Sequence, residues 1–144
     1  MNLKDKKGFI IDMDGVIYHG NTILPGVVEF VEWLQAEDKR FLFLTNSSER
    51  TPRELKIKLQ RMGLDVDESH FYTSALATAR FVAKQTPGGS AFVIGDAGLL
   101  NALYEAGITM NDYNPDYVII GETRSYNYEN IIKAVRHVNN GAGL

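Results

Sequence analysis

The sequence predicts an α/β protein built around a parallel sheet, because short apolar segments alternate along the chain with segments of helical periodicity. The apolar segments are short and continuous, which is typical of strands that are buried on both faces. The segments between them place apolar residues at the spacing of one helix face. Helices that connect successive strands are the crossovers that a parallel sheet requires.

The first elements lie in the N-terminal third of the chain. The apolar run Gly8–Ile11 is the first predicted strand, and Pro-Gly at 25–26 opens a helix, with the proline in its first turn. The apolar face of that helix consists of Val27, Val31 and Leu34. The run Phe41–Leu44 is the second predicted strand and ends at Thr45.

Two more helices follow the second strand. Ser48 or Thr51 can cap the first of them, and Gly63 ends it. Its apolar stripe consists of Leu55, Leu59 and Met62. A third strand is predicted at Phe71–Thr73, and Ser74 is predicted to cap the helix after it. The stripe of that helix consists of Leu76, Ala79 and Ala83.

The segment TPGGS at 86–90 is the best candidate for a linker in the chain. Beyond it the same alternation restarts, with predicted strands at Ala91–Ile94 and Tyr117–Ile120. The helices that follow these two strands are marked by Leu99, Leu103 and Ala106 and by Ile131, Val135 and Val138. The parallel α/β class is therefore predicted for the whole chain.

The composition excludes several classes of protein. The 144 residues are 44% hydrophobic and 23% charged, which is ordinary for a globular chain with a core. A net charge of −3 argues against non-specific nucleic-acid binding, and the absence of cysteine excludes disulfides, thiolate zinc sites and a cysteine nucleophile. We find neither a signal-peptide pattern nor an apolar run of about 20 residues. We therefore expect a soluble, cytoplasmic protein without nucleic-acid or membrane partners.

Two carboxylates follow the first predicted strand, in the segment FIIDMDGVIYHG at 9–20. Ligands of parallel α/β sheets bind outside the carboxyl ends of the strands, where Asp12 lies. A carboxylate there can attack an electrophile or hold a hard cation, and Asp14 is placed for proton transfer. Gly15 allows a sharp turn into a small hairpin. A solvated loop is the alternative, but the apolar strand favours partial burial of the pair and a cation such as Mg²⁺ between them.

A hydroxyl and an amide, those of Thr45 and Asn46, follow the second strand at the same edge of the sheet. A helix N-terminus just beyond them would suit a phosphate, and a simple helix cap is the alternative interpretation. Together with the carboxylate pair, these residues predict phosphoryl chemistry. Asp12 would attack phosphorus, Asp14 would protonate the leaving alcohol and then activate water, and Mg²⁺ would share the phosphoryl charge with Thr45 and Asn46.

These motifs resemble those of the haloacid dehalogenase superfamily of aspartate-nucleophile phosphatases. DMDGV at 12–16 is similar to the first family motif and LTN at 44–46 to the second, and longer segments such as PDYVIIGETRSYNY resemble the NagD branch of nucleotide or p-nitrophenyl phosphatases. The resemblance implies that Asp12 is the nucleophile and a Mg²⁺ ligand. It implies that Asp14 is the acid/base and offers its main-chain carbonyl to Mg²⁺, and that Thr45 and Asn46 hold the phosphate.

The resemblance also implies a division of the chain. Residues 1–88 would form the N-terminal half of the catalytic core, and residues 89–144 would form the first part of an α/β cap. Two family elements are absent from the sequence: a lysine in a Gly-Lys-Pro setting and a late GDxxxxD segment that completes the Mg²⁺ shell. VIGDAGL at 93–99 lacks the second acid, and we interpret its Asp96 as a helix cap.

Without those elements the first strand would lie at an unpaired apolar edge. We therefore expect an incomplete form of a phosphatase, truncated at its C-terminus, or a chain that pairs with another copy or with a missing C-terminal half.

Three functions are compatible with the sequence. The first is a Mg²⁺-dependent phosphomonoesterase acting on a small phosphorylated metabolite, with nucleoside monophosphates among the candidates. The second is a non-catalytic phosphate-binding or assembly module, and the third is a receiver-type phospho-acceptor. The third ranks last because Asp12 and Asp14 share one loop. His19 and Arg124 are the two other residues near the predicted sites, and we interpret both as surface residues.

Overall fold

The computed structural model describes residues 3–144 and confirms the α/β class with parallel sheets. The strands are β1 (Gly8–Asp12), β2 (Tyr18–His19), β3 (Thr22–Ile23), β4 (Arg40–Thr45), β5 (Phe71–Thr73), β6 (Ser90–Ile94), β7 (Thr109–Met110) and β8 (Tyr117–Ile120). The α-helices are α1 (Val27–Ala36), α2 (Pro52–Arg61), α3 (Ser74–Gln85), α4 (Ala97–Glu105) and α5 (Tyr128–Asn139). Across residues 3–144, no helix is long and apolar enough to cross a membrane.

The N-terminal sheet has the strand order β1-β4-β5, so β1 lies at its edge. β1 and β4 run parallel, and their register places Ile11 beside Phe43 and Asp12 beside Leu44. The carboxyl ends of these two strands therefore lie at the same edge of the sheet.

One face of this sheet carries the core of the N-terminal region. Ile11 and Phe43 are buried there against apolar residues of α1 and α2, namely Val27, Val31, Leu34, Leu55 and Leu59. Phe9 packs edge-on against Phe30 and Trp33 of α1, with ring centroids 5.9 and 5.8 Å apart. The helical stripes that the sequence predicts are the faces that this core buries.

The other face of the same sheet is open to solvent. Side chains alternate between the two faces of a strand, so Ile10, Leu42 and Leu44 share the face opposite the core. Ile10 is 75% exposed and Leu44 is 42% exposed. A strand pair with continuous apolar sequence is therefore covered on one face only.

The C-terminal sheet has the order β7-β6-β8, and both of its strand pairs are parallel. Its central strand buries two consecutive residues, Ala91 and Phe92, which point to opposite faces. Ala91 packs with α3 and α4 residues, whereas Phe92 packs with Ala134 of α5. Helices therefore cover this sheet on both faces.

The chain groups into two compact units by its internal contacts. Among the described residues, one unit contains residues 3–46 and 52–72, and the other contains residues 47–51 and 73–144. The TPGGS segment forms a short turn between α3 and β6, and both of these elements belong to the second unit. The assignment of residues 1–88 to a catalytic half and of 89–144 to a cap concerns their roles and stays a prediction.

Helix starts differ from the predictions by one or two residues. Thr73, not Ser74, caps α3, because its Oγ1 accepts a hydrogen bond from the Leu76 N–H at 3.2 Å. Pro25 lies before α1 and not in its first turn, since Gly26 holds the capping position with a φ of 81°. Only glycine adopts that left-handed conformation without strain.

Candidate active site

Asp12 and Asp14 lie at the carboxyl end of β1, as the sequence predicts. Asp12 is the last residue of the strand, and its Oδ1 accepts a hydrogen bond from the Met13 N–H at 2.8 Å. Both carboxylates are exposed, whereas Ile11 and Met13 beside them are buried. The expected partial burial of the pair is therefore wrong. Successive side chains of an extended segment point in opposite directions, so Ile11 and Met13 point into the core and Asp12 and Asp14 point to solvent.

The backbone after Met13 turns sharply and fixes the position of Asp14. The Met13 carbonyl accepts hydrogen bonds from the N–H groups of Val16 and Ile17 at 3.2 and 2.8 Å. Gly15 has a φ of 77° and donates to the Tyr18 carbonyl at 2.8 Å. Because other residues are strained at this φ, glycine is the residue that the turn requires. The turn leads into the β2–β3 hairpin, which confirms that prediction.

Tyr18 anchors this hairpin in the N-terminal unit, and sequence reasoning missed its partner. The tyrosine is buried, and the Lys58 Nζ lies 3.7 Å from its ring centroid, which is cation–π geometry. Lys58 lies in the basic sequence of α2, PRELKIKLQR. The sequence could have indicated this contact, because Lys58 lies between Leu55 and Leu59, the buried residues of α2. The aliphatic part of a lysine in such a position can pack along the apolar surface while its charged end reaches outward.

Thr45 and Asn46 lie at the end of the strand adjacent to β1. Thr45 is the last residue of β4 and is buried, and Asn46 follows it and is exposed. Leu44, the residue before Thr45, is the register partner of Asp12. The structure therefore brings the carboxylate pair and the Thr-Asn pair to neighbouring strand ends.

The helix N-terminus predicted after Asn46 begins at Pro52, directly after Thr51, which is one of the two predicted caps. α2 starts at Pro52, so Thr45 and Asn46 are not in its first turn and do not cap it. Proline also has no N–H group to offer a phosphate. The donors that the sequence predicts for an anion at this edge are the Thr45 hydroxyl and the Asn46 amide.

Within residues 3–144, neither Asp12 nor Asp14 forms an ion pair; the ion pairs described are Lys56–Asp67 and Lys133–Glu129. Two exposed carboxylates separated by one residue repel each other, and a cation between them relieves that repulsion. This edge of the sheet therefore favours a cation.

The oxygen donors at this edge fit Mg²⁺ in number and type. Mg²⁺ takes oxygen ligands, keeps several waters and is commonly held by one or two carboxylates. Asp12 and Asp14 supply two carboxylates in an exposed position, where such waters have room. Across the described part of the chain, no group of three or more His, Cys, Asp or Glu side chains forms a fuller cage. The set suits a hydrated ion held by few protein ligands.

Asp96 and Arg124 belong to the second unit. Asp96 is at the capping position of α4, as predicted, but its carboxylate makes no cap bond. Its Oδ1 instead accepts a hydrogen bond from the buried Thr123 hydroxyl at 2.6 Å, and this bond ties the end of β6 to the segment after β8. Arg124 is exposed, and so is His19 in the β2–β3 hairpin of the first unit.

Comparison with known proteins gives a family match over most of the chain. Residues 9–109 match the family described as haloacid dehalogenase-like hydrolases. The ribonucleotide monophosphatase NagD of Escherichia coli K12 is 44% identical over 136 residues, which cover 94% of this chain and 54% of that protein. The NagD structure superimposes with a TM-score of 0.89. The chain spans about half the length of the curated relatives it matches.

Two further solved structures share the fold. A p-nitrophenyl phosphatase from Archaeoglobus fulgidus is 39% identical, with a TM-score of 0.87, over 95% of this chain and 53% of its own. A glycerol phosphate phosphatase from Mycobacterium tuberculosis, solved in complex with magnesium, is 25% identical, with a TM-score of 0.87, over 94% of this chain and 42% of its own. These proteins are named as phosphatases of different phosphate compounds.

Proposed function

The chain belongs to the haloacid dehalogenase-like hydrolases, and we propose that the edge formed by Asp12, Asp14, Thr45 and Asn46 is the nucleophilic centre of a phosphomonoester hydrolase. The observation that carries this proposal is the placement of an exposed carboxylate pair after β1 beside the Thr-Asn pair after β4. One pair supplies nucleophile and acid, and the other supplies neutral donors to a phosphoryl group.

In the first step, an Asp12 carboxylate oxygen attacks phosphorus. The bond between phosphorus and the ester oxygen breaks, and Asp14 gives its proton to the leaving alkoxide, so that an alcohol departs. Asp12 then carries the phosphoryl group as an acyl phosphate. Thr45 and Asn46 donate hydrogen bonds to the phosphoryl oxygens, where negative charge spreads in the transition state.

In the second step, Asp14 is a carboxylate and acts as the base. It removes a proton from water, and the resulting hydroxide attacks phosphorus and breaks the bond to the Asp12 oxygen. Inorganic phosphate leaves, Asp12 returns as a carboxylate, and Asp14 is protonated again. Both roles of Asp14 require that it reach the same phosphorus as Asp12, which its position two residues later allows.

Asp12 and the main-chain carbonyl of Asp14 would hold Mg²⁺ at this edge, beside the carboxylates that need a countercharge. When bound, the ion supplies positive charge that offsets the nucleophile and the phosphoryl oxygens together. The oxygen donor set and the magnesium complex of the mycobacterial relative support this assignment.

We propose a small phosphorylated metabolite as the substrate, with nucleoside monophosphates as the first class to test. NagD is named for ribonucleotides, and the other two relatives are named for p-nitrophenyl and glycerol phosphates. We also propose a cytoplasmic location, for which a cysteine-free chain is suited. Cell fractionation that places the protein outside the cytoplasm would overturn that part.

The test is release of inorganic phosphate from a panel of nucleotide, sugar and glycerol phosphates, with and without Mg²⁺. We expect Mg²⁺-dependent release that Asp12→Asn abolishes and Asp14→Asn lowers by about 10²- to 10⁴-fold, the usual contribution of a general acid. Asp112→Asn removes an exposed carboxylate elsewhere and should leave the rate unchanged. Equal rates in all three variants would contradict the proposal.

A phosphate-binding module without turnover is the second candidate. The observation that favours it is that, within residues 3–144, no third acid joins the Asp12–Asp14 pair. Calorimetry with inorganic phosphate and Mg²⁺ separates the two functions. Binding that Thr45→Val weakens, without any phosphate release, would support the module and exclude the hydrolase for this chain.

A further inference from the structure

The turn that carries Asp14 is held by the backbone of Tyr18. The Gly15 N–H donates to the Tyr18 carbonyl at 2.8 Å, and the Tyr18 N–H donates to the Met13 carbonyl at 3.4 Å. Asp14 and Tyr18 also form an isolated β-bridge. Tyr18 therefore bonds to the backbone on both sides of Asp14, and the position of the Asp14 carboxyl depends on where Tyr18 lies.

The side chain of Tyr18 is held in turn by α2. Tyr18 is buried, and the Lys58 Nζ lies 3.7 Å from its ring centroid. This distance is well inside the limit of about 6 Å within which a cation is attracted by an aromatic face. Lys58 is half-buried, so water screens the attraction less than it would at an exposed site.

The type of contact matters as much as its strength. Lys58 lies between Leu55 and Leu59, the buried residues of α2, and partial burial of an ammonium group costs free energy that the ring face of Tyr18 offsets. Apolar burial is non-directional, whereas a cation is attracted only over the face of a ring. A lysine at this position therefore fixes the ring more narrowly than an apolar side chain would.

Lys56, the other lysine of α2, has a different partner. It is half-buried like Lys58, and its Nζ lies 3.8 Å from a carboxylate oxygen of Asp67, in the segment between α2 and β5. The two lysines thus share a helix, a charge and a degree of burial and differ in what they contact. Lys56 is the matched control for Lys58.

We propose that Lys58 is a positioning residue for Asp14, because its ammonium group fixes the Tyr18 ring and the Tyr18 backbone fixes the turn. The inference rests on the acid/base role of Asp14 proposed above, and it gives Lys58 no contact with the substrate. Asp12 is held separately, as the last residue of β1 paired with Leu44 of β4. Loss of the cation should therefore impair proton transfer by Asp14 more than attack by Asp12.

The leaving group of the substrate distinguishes this role from a general structural one. A departing alkoxide requires the proton of Asp14, whereas p-nitrophenolate is a stable anion that leaves with little assistance. Lys58→Gln should lower kcat/KM about tenfold for glycerol phosphate and less than about threefold for p-nitrophenyl phosphate. Partial unfolding would lower both values by the same factor, because it reduces only the amount of active protein.

Three further variants complete the kinetic test. Lys56→Gln removes the same charge from the same helix and should leave the ratio of the two kcat/KM values unchanged. Lys58→Arg keeps a cation that binds aromatic faces and should restore the native ratio. In Asp14→Asn, adding Lys58→Gln should cause no further loss with glycerol phosphate, because the group on which Lys58 acts is already removed.

Two kinetic results would overturn the proposal. The first is an equal loss of kcat/KM for both substrates in Lys58→Gln. The second is a further loss of about tenfold when Lys58→Gln is added to Asp14→Asn, which would show that the lysine acts independently of the carboxyl.

Amide hydrogen exchange, followed residue by residue by NMR, tests the inference without turnover. The N–H groups of Gly15 and Ile17 donate within the turn and report its stability. Lys58→Gln should speed their exchange severalfold, and Lys56→Gln should not. The Leu64 N–H, which donates to the Leu59 carbonyl after α2, should exchange as in the native chain and so show that the helix is intact. Unchanged exchange at Gly15 and Ile17 would overturn the proposal.

The two measurements separate failure of this inference from failure of the proposed function. A native chain that releases no phosphate contradicts the hydrolase, and exchange at the turn then decides whether Lys58 holds it. An active chain in which Lys58→Gln changes neither the substrate ratio nor the exchange keeps the hydrolase and contradicts the role of Lys58.

Discussion

The two sheets of this chain are alike in their strands and different in their cover. In the β7-β6-β8 sheet, helices lie on both faces, and the residues that cover them form separate clusters around Ile119 and Ile94. In the β1-β4-β5 sheet, α1 and α2 cover the face of Ile11 and Phe43, whereas Ile10 on the other face is open to solvent.

The difference shows that a continuous apolar sequence does not by itself determine whether both faces of a strand are buried. Both sheets contain continuous apolar runs, which normally indicate burial on both faces. The second sheet buries its runs with its own helices, and the last residues of the sequence protect its edge. The first sheet carries more apolar surface than its own helices bury, and its carboxylate pair lies at the end of the same open strand.

The largest expected effect contrasts the two faces of the first sheet. Phe43→Ala empties a fully buried site and should lower the free energy of unfolding by about 3–5 kcal/mol. Ile10→Ala removes an exposed side chain from the same sheet and should change it by less than about 1 kcal/mol. Denaturant unfolding measures both values. Similar losses of unfolding free energy in Phe43→Ala and Ile10→Ala would contradict the difference between the covered and the open face of the sheet.

Isoleucine-to-alanine substitutions in the second sheet allow a direct comparison of the two sheets. Ile94→Ala and Ile119→Ala open opposite faces of the second sheet, and each should cost about 2–5 kcal/mol because both residues are buried. Ile10→Ala is the internal reference. A near-neutral result at either buried position would show that one face of the second sheet is less well covered than its burial indicates.

A smaller effect is expected where α4 packs closely in the second unit. A Cβ added at Gly98 would lie 2.6 Å from the Ser48 carbonyl oxygen, and that backbone cannot move aside easily, because the Gly98 N–H donates to the Glu49 carbonyl. Gly98→Ala should cost about 1–3 kcal/mol through overpacking. Asn101→Ala, on the exposed side of the same helix, should stay within about 0.5 kcal/mol.

The smallest effect concerns acid stability of the second sheet. Hydrogen bonds from the Ser90 hydroxyl and the Ser90 N–H, at 2.8 and 2.7 Å, hold the pKa of Asp116 below its ordinary value of 3.8. A carboxyl with a lowered pKa stabilises the fold above its unfolded pKa, and this contribution is lost as pH falls below 3.8 through the folded pKa.

In Asp116→Asn, the melting temperature should therefore fall slightly less as pH is lowered than it does in the native chain. Asp112→Asn, which removes an exposed carboxyl of the neighbouring loop, should not change this pH dependence. Thermal melts between pH 5 and the acid limb measure the difference. An unchanged acid limb in Asp116→Asn would show that these bonds contribute nothing to folding.

Much of the architecture could be predicted from sequence because it depends on local patterns. The runs that became β1, β4, β6 and β8 are apolar and short, and the predicted stripes of α1 and α2 became buried faces. The predicted stripe of α5 is wrong, because Ile131 and Val135 are exposed and the residues that α5 buries are Ala134 and His137. β7, Thr109–Met110, was missed because it is two residues long and exposed. Its strand character comes from pairing with β6, which no local pattern encodes.

The positions of the candidate site residues at the strand ends could be predicted from the sequence, but their exposure to solvent could not. The order of strand and carboxylate places Asp12 and Asp14 correctly, because a parallel strand delivers its last residue to the ligand-binding edge. Their exposure could not be predicted, since it depends on which elements cover β1. α2 starts at Pro52, directly after Thr51, one of the two predicted caps, but the grouping of segment 47–51 with the second unit could not be predicted from local pattern.

The most direct test of the proposed chemistry is to trap the phosphorylated nucleophile during turnover. Borohydride reduces an acyl phosphate to the alcohol, so quenching with it converts a phosphorylated aspartate into homoserine, which peptide mass mapping locates. The account predicts homoserine at position 12 in the native chain with a phosphomonoester and Mg²⁺, and none in Asp12→Asn. Phosphate release without homoserine at position 12, or homoserine at another acid, would contradict it.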